Sequence, residues 1–327
     1  MSVRYGIVGA GKAGILHAPA VLENRRATLI WIADTDAPRG EALAARCSAR
    51  YLPDYREGLA GVDAVSICLP HALLADAAVT AARAGVHVLA EKPMALTLGD
   101  TDRVIVAARS AGISLMVGFV HRFRPESRRA VEMIASGDIG EPRFVTDRSS
   151  GGGLAGWPGW VQDAAAGGGL LLYSGVHRID RARWLLGRDV SSVYGSTAAL
   201  LPGRDVDSSY TVALTFDGGA RAVLSSHYHA VEAPHRWETE IHGTEGMIRI
   251  HTGESLDLVT RDGSRHEAAG ADRRFNEEIE AFLDAIDGTG PASPSGTDAR
   301  EVLAVAIAVA HSHATGRTVA LAESPAT

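Results

Sequence analysis

Residues 5–14 read YGIVGAGKAG, a short apolar segment that runs into a glycine-rich turn. The apolar part predicts a buried strand, and Gly9, Gly11 and Gly14 form the G-x-G-x-x-G pattern of a dinucleotide site. Gly9 permits the sharp turn, Gly11 has no side chain to keep the backbone from a diphosphate, and Gly14 lets the next helix pack on the strand. The N–H groups and dipole of that helix attract phosphate. We therefore predict that a dinucleotide binds at Gly9, Ala10, Gly11, Lys12, Ala13 and Gly14.

A second apolar segment, Thr28–Ala33, is followed by a single carboxylate, Asp34. Asp34 lies 20 residues after Gly14, the interval expected for a carboxylate that binds the ribose 2′-hydroxyl. It would also repel a 2′-phosphate, so NAD is the predicted cofactor. Arg39 is close enough in the sequence to contact a phosphate, which leaves NADP as an alternative. The competing interpretation is an ordinary glycine turn followed by an unrelated surface carboxylate.

The composition argues against several classes of protein. The chain has 327 residues, 46% of them hydrophobic, which is long for one core and predicts two domains. A formal net charge of −7 offers no positive surface for nucleic acid. Cys47 and Cys68 are the only cysteines and form no C-x-x-C pair, so we expect no structural zinc, no disulfide scaffold and a cytoplasmic location. We expect no leader and no membrane partner, because a strand begins at Val3 and no stretch is long enough to cross a bilayer.

Two patterns of hydrophobicity divide the chain. Up to about residue 121, short apolar strands alternate with helical segments, which predicts a doubly wound parallel sheet. Beyond it, Ser209–Phe216 alternates polar and apolar side chains, as in an antiparallel sheet with unlike faces. The predicted class is α/β plus α+β, with domains at 1–121 and 122–327. The strands expected in the first domain are Val3–Val8, Thr28–Ala33, Ala64–Leu69, His87–Ala90 and Ser114–Gly118, with a short extra strand at Tyr51.

Two strands of the first domain end in residues suited to chemistry. His87–Ala90 is followed by Glu91, Lys92 and Pro93, at the sheet edge where doubly wound folds bind ligands. A lysine there can transfer a proton if its surroundings lower its pKa, whereas a solvated surface lysine is the alternative. The preceding strand leads into Leu69, Pro70 and His71, which we expect to lie against the adenine or the nicotinamide.

Polar residues of the second part suggest a cleft. Tyr173, His177 and Asp180 occupy positions i, i+4 and i+7 of a predicted helix and would share one face. His121 and Arg122 lie at the predicted domain junction. A buried His177 bonded to a carbonyl is the alternative to a role in a site.

Taken together, these motifs resemble the glucose–fructose oxidoreductase, inositol dehydrogenase and rhizopine-catabolism (Gfo/Idh/MocA) family over nearly the whole chain. The resemblance implies an NAD(P)-binding Rossmann domain and a substrate domain whose open-faced sheet packs homodimers or homotetramers. It also implies hydride transfer to or from a secondary alcohol or ketone carbon of a sugar, sugar derivative or cyclitol. It rests on the glycine-rich turn, Asp34, Glu91-Lys92-Pro93, Arg122-Phe123 with Pro125, Gly167 through Asp180, Gly243-Thr244-Glu245-Gly246 and Gly316-Arg317.

The resemblance also assigns roles to single residues. It gives the family's catalytic lysine to Lys92 and its late histidine to His177. The family usually has Asp at the position of Tyr173, and often Asn and His where this chain has His71 and Leu74. A cationic lysine nearby would lower the pKa of a phenol, so a Tyr–Lys pair can replace an Asp–Lys pair. A tyrosine that only fills space is the alternative.

The remaining expectations concern the substrate and the type of activity. Trp160 can stack on the apolar face of a sugar ring, although ordinary packing explains it equally well. The family uses no metal, so no metal site is expected. Two other functions stay open, a catalytically silent NAD(P)-binding sensor and a glycoside-processing enzyme that uses bound NAD transiently. The residues expected to contact a polyhydroxylated substrate are His121, Arg122, Trp160 and Asp180.

Overall fold

The computed structural model describes residues 2–152, 157–201, 203, 205–229 and 231–321. The strands are β1 (Val3–Val8), β2 (Ala27–Ala33), β3 (Arg50–Leu52), β4 (Ala64–Ile67), β5 (His87–Ala90), β6 (Leu115–Val117), β7 (Pro142–Gly152), β8 (Val190–Ala198), β9 (Ser209–Phe216), β10 (Arg221–His229), β11 (Arg236–Gly243), β12 (Gly246–His251), β13 (Ser255–Thr260), β14 (Gly263–Ala268) and β15 (Val319–Ala320). The helices are α1 (Gly14–Glu23), α2 (Ala37–Arg46), α3 (His71–Arg83), α4 (Leu98–Ala111), α5 (Pro125–Ala135), α6 (Val176–Leu186), α7 (Arg274–Asp287) and α8 (Gly296–Thr315).

The chain forms two compact units. One comprises residues 1–120 and 273–300, and the other comprises residues 121–272 and 301–327. The domain limits expected from the sequence, 1–121 and 122–327, place residues 273–300 in the second domain, whereas the contacts group them with the first unit. Helix α7 therefore belongs to the unit that contains the glycine-rich turn.

The first unit is built on a six-stranded sheet in the order β3-β2-β1-β4-β5-β6, and every neighbouring pair is parallel. The predicted doubly wound parallel sheet is confirmed. Its central strands are apolar and buried, and all four residues of β4 are inaccessible to solvent. The strand order reverses between β1 and β4, so their carboxyl ends border the crevice where such sheets bind ligands.

Helix α7 packs against the rest of the first unit through an apolar stripe. Phe282 is fully buried, and its ring meets Tyr5 edge-on with 6.2 Å between ring centres. Ile279 and Leu283 are also fully buried. At the surface, Arg26 beside β2 forms ion pairs with three carboxylates of α7. The stripe is visible in the sequence, but its partner lies about 270 residues earlier in the chain.

The second unit contains a nine-stranded sheet in the order β14-β13-β12-β11-β7-β10-β9-β8-β15. Neighbours are antiparallel except β7 and β10, which are parallel, so the predicted mostly antiparallel sheet is confirmed. In β9, Tyr210, Val212 and Leu214 are buried while the residues between them are not, as the alternation predicts. The sequence did not indicate β14, because its residues are polar and largely exposed. Among the described helices, none combines the length and apolar character that a membrane span requires.

Candidate functional site

The glycine-rich turn has the geometry that a diphosphate site needs. Gly9 has φ +98°, and a Cβ there would lie 2.5 Å from the carbonyl oxygen of Cys68. A Cβ on Gly14 would lie 2.0 Å from the carbonyl oxygen of Gly9, so helix and strand approach too closely for any side chain. A Cβ on Gly11 would meet nothing within 4 Å, and no side chain caps the start of α1. The backbone at Gly11 and the start of the helix therefore fit a phosphate group.

Asp34 follows β2 and is held by four hydrogen bonds. Its Oδ2 accepts the N–H of Ala10 at 2.7 Å, its Oδ1 accepts the N–H of Asp36 at 2.8 Å, and Arg39 donates to both oxygens at 3.0 and 2.7 Å. Burial opposes ionisation, but these hydrogen bonds outweigh it and lower the pKa of Asp34. Two carboxylate oxygens offer about four lone-pair sites, so Arg39 has to move before Asp34 can accept ribose hydroxyls.

The residues after β4 border the glycine-rich turn. A Cβ on Gly9 would lie 3.3 Å from the side chain of Leu69, and Leu69 and Pro70 are partly exposed. The strand is shorter than predicted, because it ends at Ile67 and α3 begins at His71. His71 is 3% exposed. The contact of these residues with a cofactor stays a prediction.

Lys92 follows β5 at the same edge of the sheet. It is 8% exposed, and the Lys92–Pro93 peptide bond is cis, as X–Pro bonds can be. Burial lowers the pKa of the Lys92 amine; Glu91 acts in the opposite direction and Lys12 adds to the decrease. A lysine with a lowered pKa is suited to proton transfer near neutral pH. The strand order places the carboxyl ends of β2, β1, β4 and β5 next to one another, so the first unit gathers every predicted cofactor residue along one sheet edge.

In the second unit, the segment before α6 departs from the predicted regular helix. Leu171–Gly175 is a π-helix, in which the N–H of Val176 donates to the carbonyl of Leu171 five residues earlier. Asp207 caps its start, because its carboxylate accepts the N–H of Leu171 at 2.8 Å. The expectation that Tyr173, His177 and Asp180 follow a single α-helix is therefore wrong at Tyr173.

Tyr173 and His177 each pack against aromatic rings. Tyr173 is partly buried against two tryptophans, with ring centres 5.4 Å from Trp157 and 6.0 Å from Trp160. His177 is 8% exposed, and its ring meets His121 edge-on at 4.4 Å. Trp160 thus lies beside Tyr173, and His121 beside His177.

His121 connects these residues to the sheet. Its ring also meets Trp237 at 4.6 Å, and its Nδ1 accepts a hydrogen bond from Arg124 at 2.9 Å. Burial, His177 and neighbouring arginines hold the pKa of His121 well below its usual value. His121 is therefore a neutral group at neutral pH, suited to hydrogen bonding with an uncharged hydroxyl.

Arg122 and Asp180 are paired with each other. Arg122 donates from Nε to Oδ2 of Asp180 at 2.9 Å and from Nη2 to Oδ1 at 2.5 Å, and both side chains are buried. This bidentate geometry is a strong charge-assisted interaction. The pair joins α6 to the segment after residue 120, and its contact with a substrate stays a prediction.

Sequence reasoning missed a buried cluster behind His177. Asp147 on β7 accepts a hydrogen bond from Trp237 at 2.8 Å and lies 3.2 Å from Arg178. The guanidinium groups of Arg178 and Arg181 lie 4.5 and 4.2 Å from the Trp237 ring centre. These residues hold α6 on the sheet. Arg178, next to His177 in the sequence, was the only available signal, because β7 and β11 meet it through tertiary folding.

Comparison with protein families agrees with this arrangement. A model described as an oxidoreductase family with an NAD-binding Rossmann fold matches residues 3–119, and a GFO/IDH/MocA C-terminal domain matches residues 127–249. The chain belongs to the Gfo/Idh/MocA oxidoreductase family. It is an oxidoreductase with an NAD-binding Rossmann domain, as the resemblance implies.

Individual relatives align with nearly the whole length of this Gfo/Idh/MocA protein. It is 32% identical to inositol 2-dehydrogenase of Rhizobium meliloti, across 98% of this chain and 100% of that protein. A Sinorhizobium meliloti 1021 structure, described as a candidate myo-inositol dehydrogenase, shares 29% identity and a TM-score of 0.85 over 98% of this chain and 100% of that one. GenD2 from gentamicin A biosynthesis, solved with NAD, shares 26% identity and a TM-score of 0.88 over 98% and 97% of the two chains.

Substitution of two glycines of the turn should cause two different defects. Gly11→Ala should fold normally but bind NAD about tenfold more weakly or worse, because the added methyl group occupies the space left for the diphosphate. Gly14→Ala should lower the melting temperature, since overpacking of this kind costs about 1–3 kcal/mol. Isothermal titration with NAD and thermal unfolding separate the two. Gly61→Ala, where a Cβ also meets nothing within 4 Å, is the control. Wild-type NAD affinity in Gly11→Ala would contradict the assignment.

The Asp34–Arg39 pair predicts how the cofactor preference responds to mutation. Arg39→Ala should widen the preference for NAD over NADP, because it removes both a competitor for Asp34 and a phosphate contact. Asp34→Ala should narrow the preference by about tenfold, the value of one charge-assisted hydrogen bond. The measurement is kcat/KM for both cofactors, with Arg46→Ala on the same helix as the control. A wild-type preference for NADP would show that the role given to Asp34 is wrong.

Proposed function

We propose that this protein oxidises a secondary alcohol of a polyhydroxylated ring, a sugar, sugar derivative or cyclitol, or reduces the matching ketone. The observation that carries the proposal is Lys92, a buried lysine with a lowered pKa at the sheet edge that holds the glycine-rich turn. The 32% identity to an inositol 2-dehydrogenase over 98% of the chain supports this substrate class.

In the proposed mechanism, the glycine-rich turn and Asp34 would hold the cofactor, which would accept a hydride as NAD⁺ or supply one as NADH. Lys92 takes the proton from the substrate hydroxyl during oxidation and returns it during reduction. The lowered pKa favours the neutral amine that accepts this proton. His177 hydrogen-bonds the same oxygen or a neighbouring hydroxyl, and Tyr173 completes the catalytic group.

The substrate contacts follow from the second unit. His121, neutral and beside His177, hydrogen-bonds a ring hydroxyl. Trp160 offers an aromatic face to the apolar side of the ring. The Arg122–Asp180 pair holds α6 in place, and we propose that it contacts the substrate.

The open face of the second sheet supports an oligomer. Tyr194, Ala213 and Val223 are direct neighbours across β8, β9 and β10, and Tyr194 and Val223 are 53% and 39% exposed. We propose that this face packs a homodimer or homotetramer, and a monomer in sedimentation velocity would contradict this. The cytoplasmic location stays a prediction, based on two buried free cysteines.

Lys92→Met should abolish turnover while changing NAD affinity little, because it removes the proton carrier and keeps the cofactor site. General acid–base catalysis is worth about 10²–10⁴ in rate. His177→Ala should reduce kcat less than Lys92→Met does, since water can replace a group that only orients the substrate. The assay follows NADH absorbance with inositols, sugars and keto-sugars at saturating NAD.

The outcomes of this assay separate the candidate functions. Wild-type kcat in Lys92→Met would exclude the role given to Lys92. Binding of NAD without turnover on the whole panel would favour the silent sensor. Conversion of a glycoside without net NADH would favour transient use of the cofactor.

Tyr173→Phe tests the position where this chain departs from its family. The substitution keeps the ring that packs on Trp157 and Trp160 and deletes only the hydroxyl. If the hydroxyl carries a proton, kcat should fall sharply and the pH–rate profile should shift. Unchanged kcat and pH dependence would mean that Tyr173 shapes the pocket and that Lys92 and His177 are the whole catalytic set. Trp157→Phe, which alters packing but no hydroxyl, is the matched control.

A further inference from the structure

A chain of buried polar side chains connects the strands of the first unit to Glu91, the neighbour of Lys92. The Tyr5 hydroxyl on β1 lies 2.8 Å from Oγ of Ser66 on β4. That oxygen lies 3.1 Å from Nδ1 of His17 on α1, and Nε2 of His17 lies 3.1 Å from Oε1 of Glu91. His17 is 1% exposed, and Tyr5 and Ser66 are fully buried. This connection could not be predicted from the sequence, because three of its members lie on three separate elements and the fourth, Glu91, follows β5.

One direction of donation satisfies every group in the chain. Tyr5 donates to Ser66, Ser66 donates to Nδ1 of His17, and Nε2–H of His17 donates to the Glu91 carboxylate. The second oxygen of Glu91 accepts the backbone N–H of Lys92 at 3.2 Å. The carboxylate is therefore fixed between an imidazole and the main chain at the catalytic lysine.

A second carboxyl approaches the same imidazole. Glu278 on α7 is fully buried, with Oε2 3.8 Å from Nε2 of His17. Burial raises the pKa of Glu278 well above its usual value, and the charge on Glu91 adds to this. Burial also disfavours the Glu91 carboxylate, but the hydrogen bond from His17, together with the charge and backbone N–H of Lys92, outweighs it and lowers the Glu91 pKa. A single negative charge therefore resides on Glu91, since two adjacent buried carboxylates do not both ionise.

We propose that His17 is a positioning residue for Lys92: it holds the Glu91 carboxylate against the Lys92 backbone and keeps that charge beside the amine. The inference rests on the proposed function, in which Lys92 carries the substrate proton. His17 lies one turn after Gly14, so the helix that begins at the diphosphate site also supports the catalytic lysine. A His17 that only fills the core is the alternative.

Removal of His17 should lower the pKa of Lys92. Without the imidazole, the largest contribution that offsets burial is lost and the pKa of Glu91 rises. Glu91 then becomes neutral at a higher pH and stops raising the pKa of Lys92. The Lys92 titration should therefore move to lower pH. Of the other groups that face the chain, Lys12 and Glu278 are not substituted, and a neutral Glu91 no longer adds to the rise in the Glu278 pKa. Burial raises the pKa of Tyr5 and Cys68 and keeps both neutral.

The composition provides a direct readout. Lys12 and Lys92 are the only lysines in the 327-residue chain. Protein labelled with [ε-¹³C]lysine therefore gives two side-chain NMR signals, and Lys12→Arg assigns them. The titration of the Lys92 signal without cofactor reports its pKa independently of any activity.

The experiment compares three variants of the full chain. His17→Leu removes the hydrogen bond, and His17→Gln retains a side-chain N–H that can donate to Glu91. Phe282→Leu perturbs the same buried core, at the ring of Tyr5, but removes none of the hydrogen-bonding groups of the chain. We expect His17→Leu to shift the Lys92 titration to lower pH and to reduce kcat about tenfold with little change in KM, as loss of positioning does. His17→Gln should restore most of the Lys92 titration and most of kcat. Phe282→Leu should lower the melting temperature and leave the Lys92 titration and kcat unchanged.

An unshifted Lys92 titration in His17→Leu would overturn the proposal, even if stability or kcat falls. Equal shifts in His17→Leu and Phe282→Leu would also overturn it, because a general loosening of the core would then be the cause. If the titration shifts but kcat is unchanged, Lys92→Met decides. Loss of turnover in Lys92→Met would then overturn the role of His17 in catalysis, whereas retained turnover would overturn the proposed function and leave the His17–Glu91–Lys92 coupling supported.

Discussion

The contact between the backbone of Gly14 and the carbonyl of Gly9 is the constraint on which the first unit depends. The approach leaves no room for a Cβ, since one would lie 2.0 Å from the carbonyl oxygen. It seats α1 directly on β1 and directs the start of the helix to the carboxyl edge of the sheet. The same placement brings His17, one turn further on, to Ser66 and Glu91. One helix therefore begins at the glycine-rich turn and also reaches the carboxylate next to Lys92, the proposed catalytic lysine.

Both units stabilise their candidate functional residues through buried, paired polar groups. A buried charge is costly unless it is paired and hydrogen-bonded. In the first unit, His17 forms a hydrogen bond with the Glu91 carboxylate. In the second, Arg122 forms an ion pair with Asp180, and Arg178 lies beside Asp147. Such pairs fix side-chain positions more firmly than exposed ion pairs, which are worth little. This explains why residues expected to touch the substrate, such as Asp180, are engaged with the protein itself.

The fold was largely predictable, and the departures have identifiable causes. The strands of the first sheet follow from apolar runs with β-branched residues, and β1 and β5 match their predicted limits. The assignment of α7 to the first unit was not predictable, because an amphipathic helix reveals its apolar face but not the surface that covers it. The π-helix at Leu171–Gly175 was not predicted, and the side chain that accepts the N–H at its start, Asp207, lies 36 residues further along the chain. The polar edge strand β14 lacks the hydrophobic alternation that marks a half-buried strand.

For the candidate site, the sequence alone determined the residue types, the glycine spacing and the strand ends that carry Asp34 and Lys92. These are local properties, since a turn, a strand end or a carboxylate at a fixed interval is encoded by neighbouring residues. Only the tertiary structure decided which partners those residues meet: Arg39 on Asp34, His17 on Glu91, His121 on His177. Hydrogen bonds between side chains from distant elements depend on how sheets and helices pack, and no local pattern records that packing.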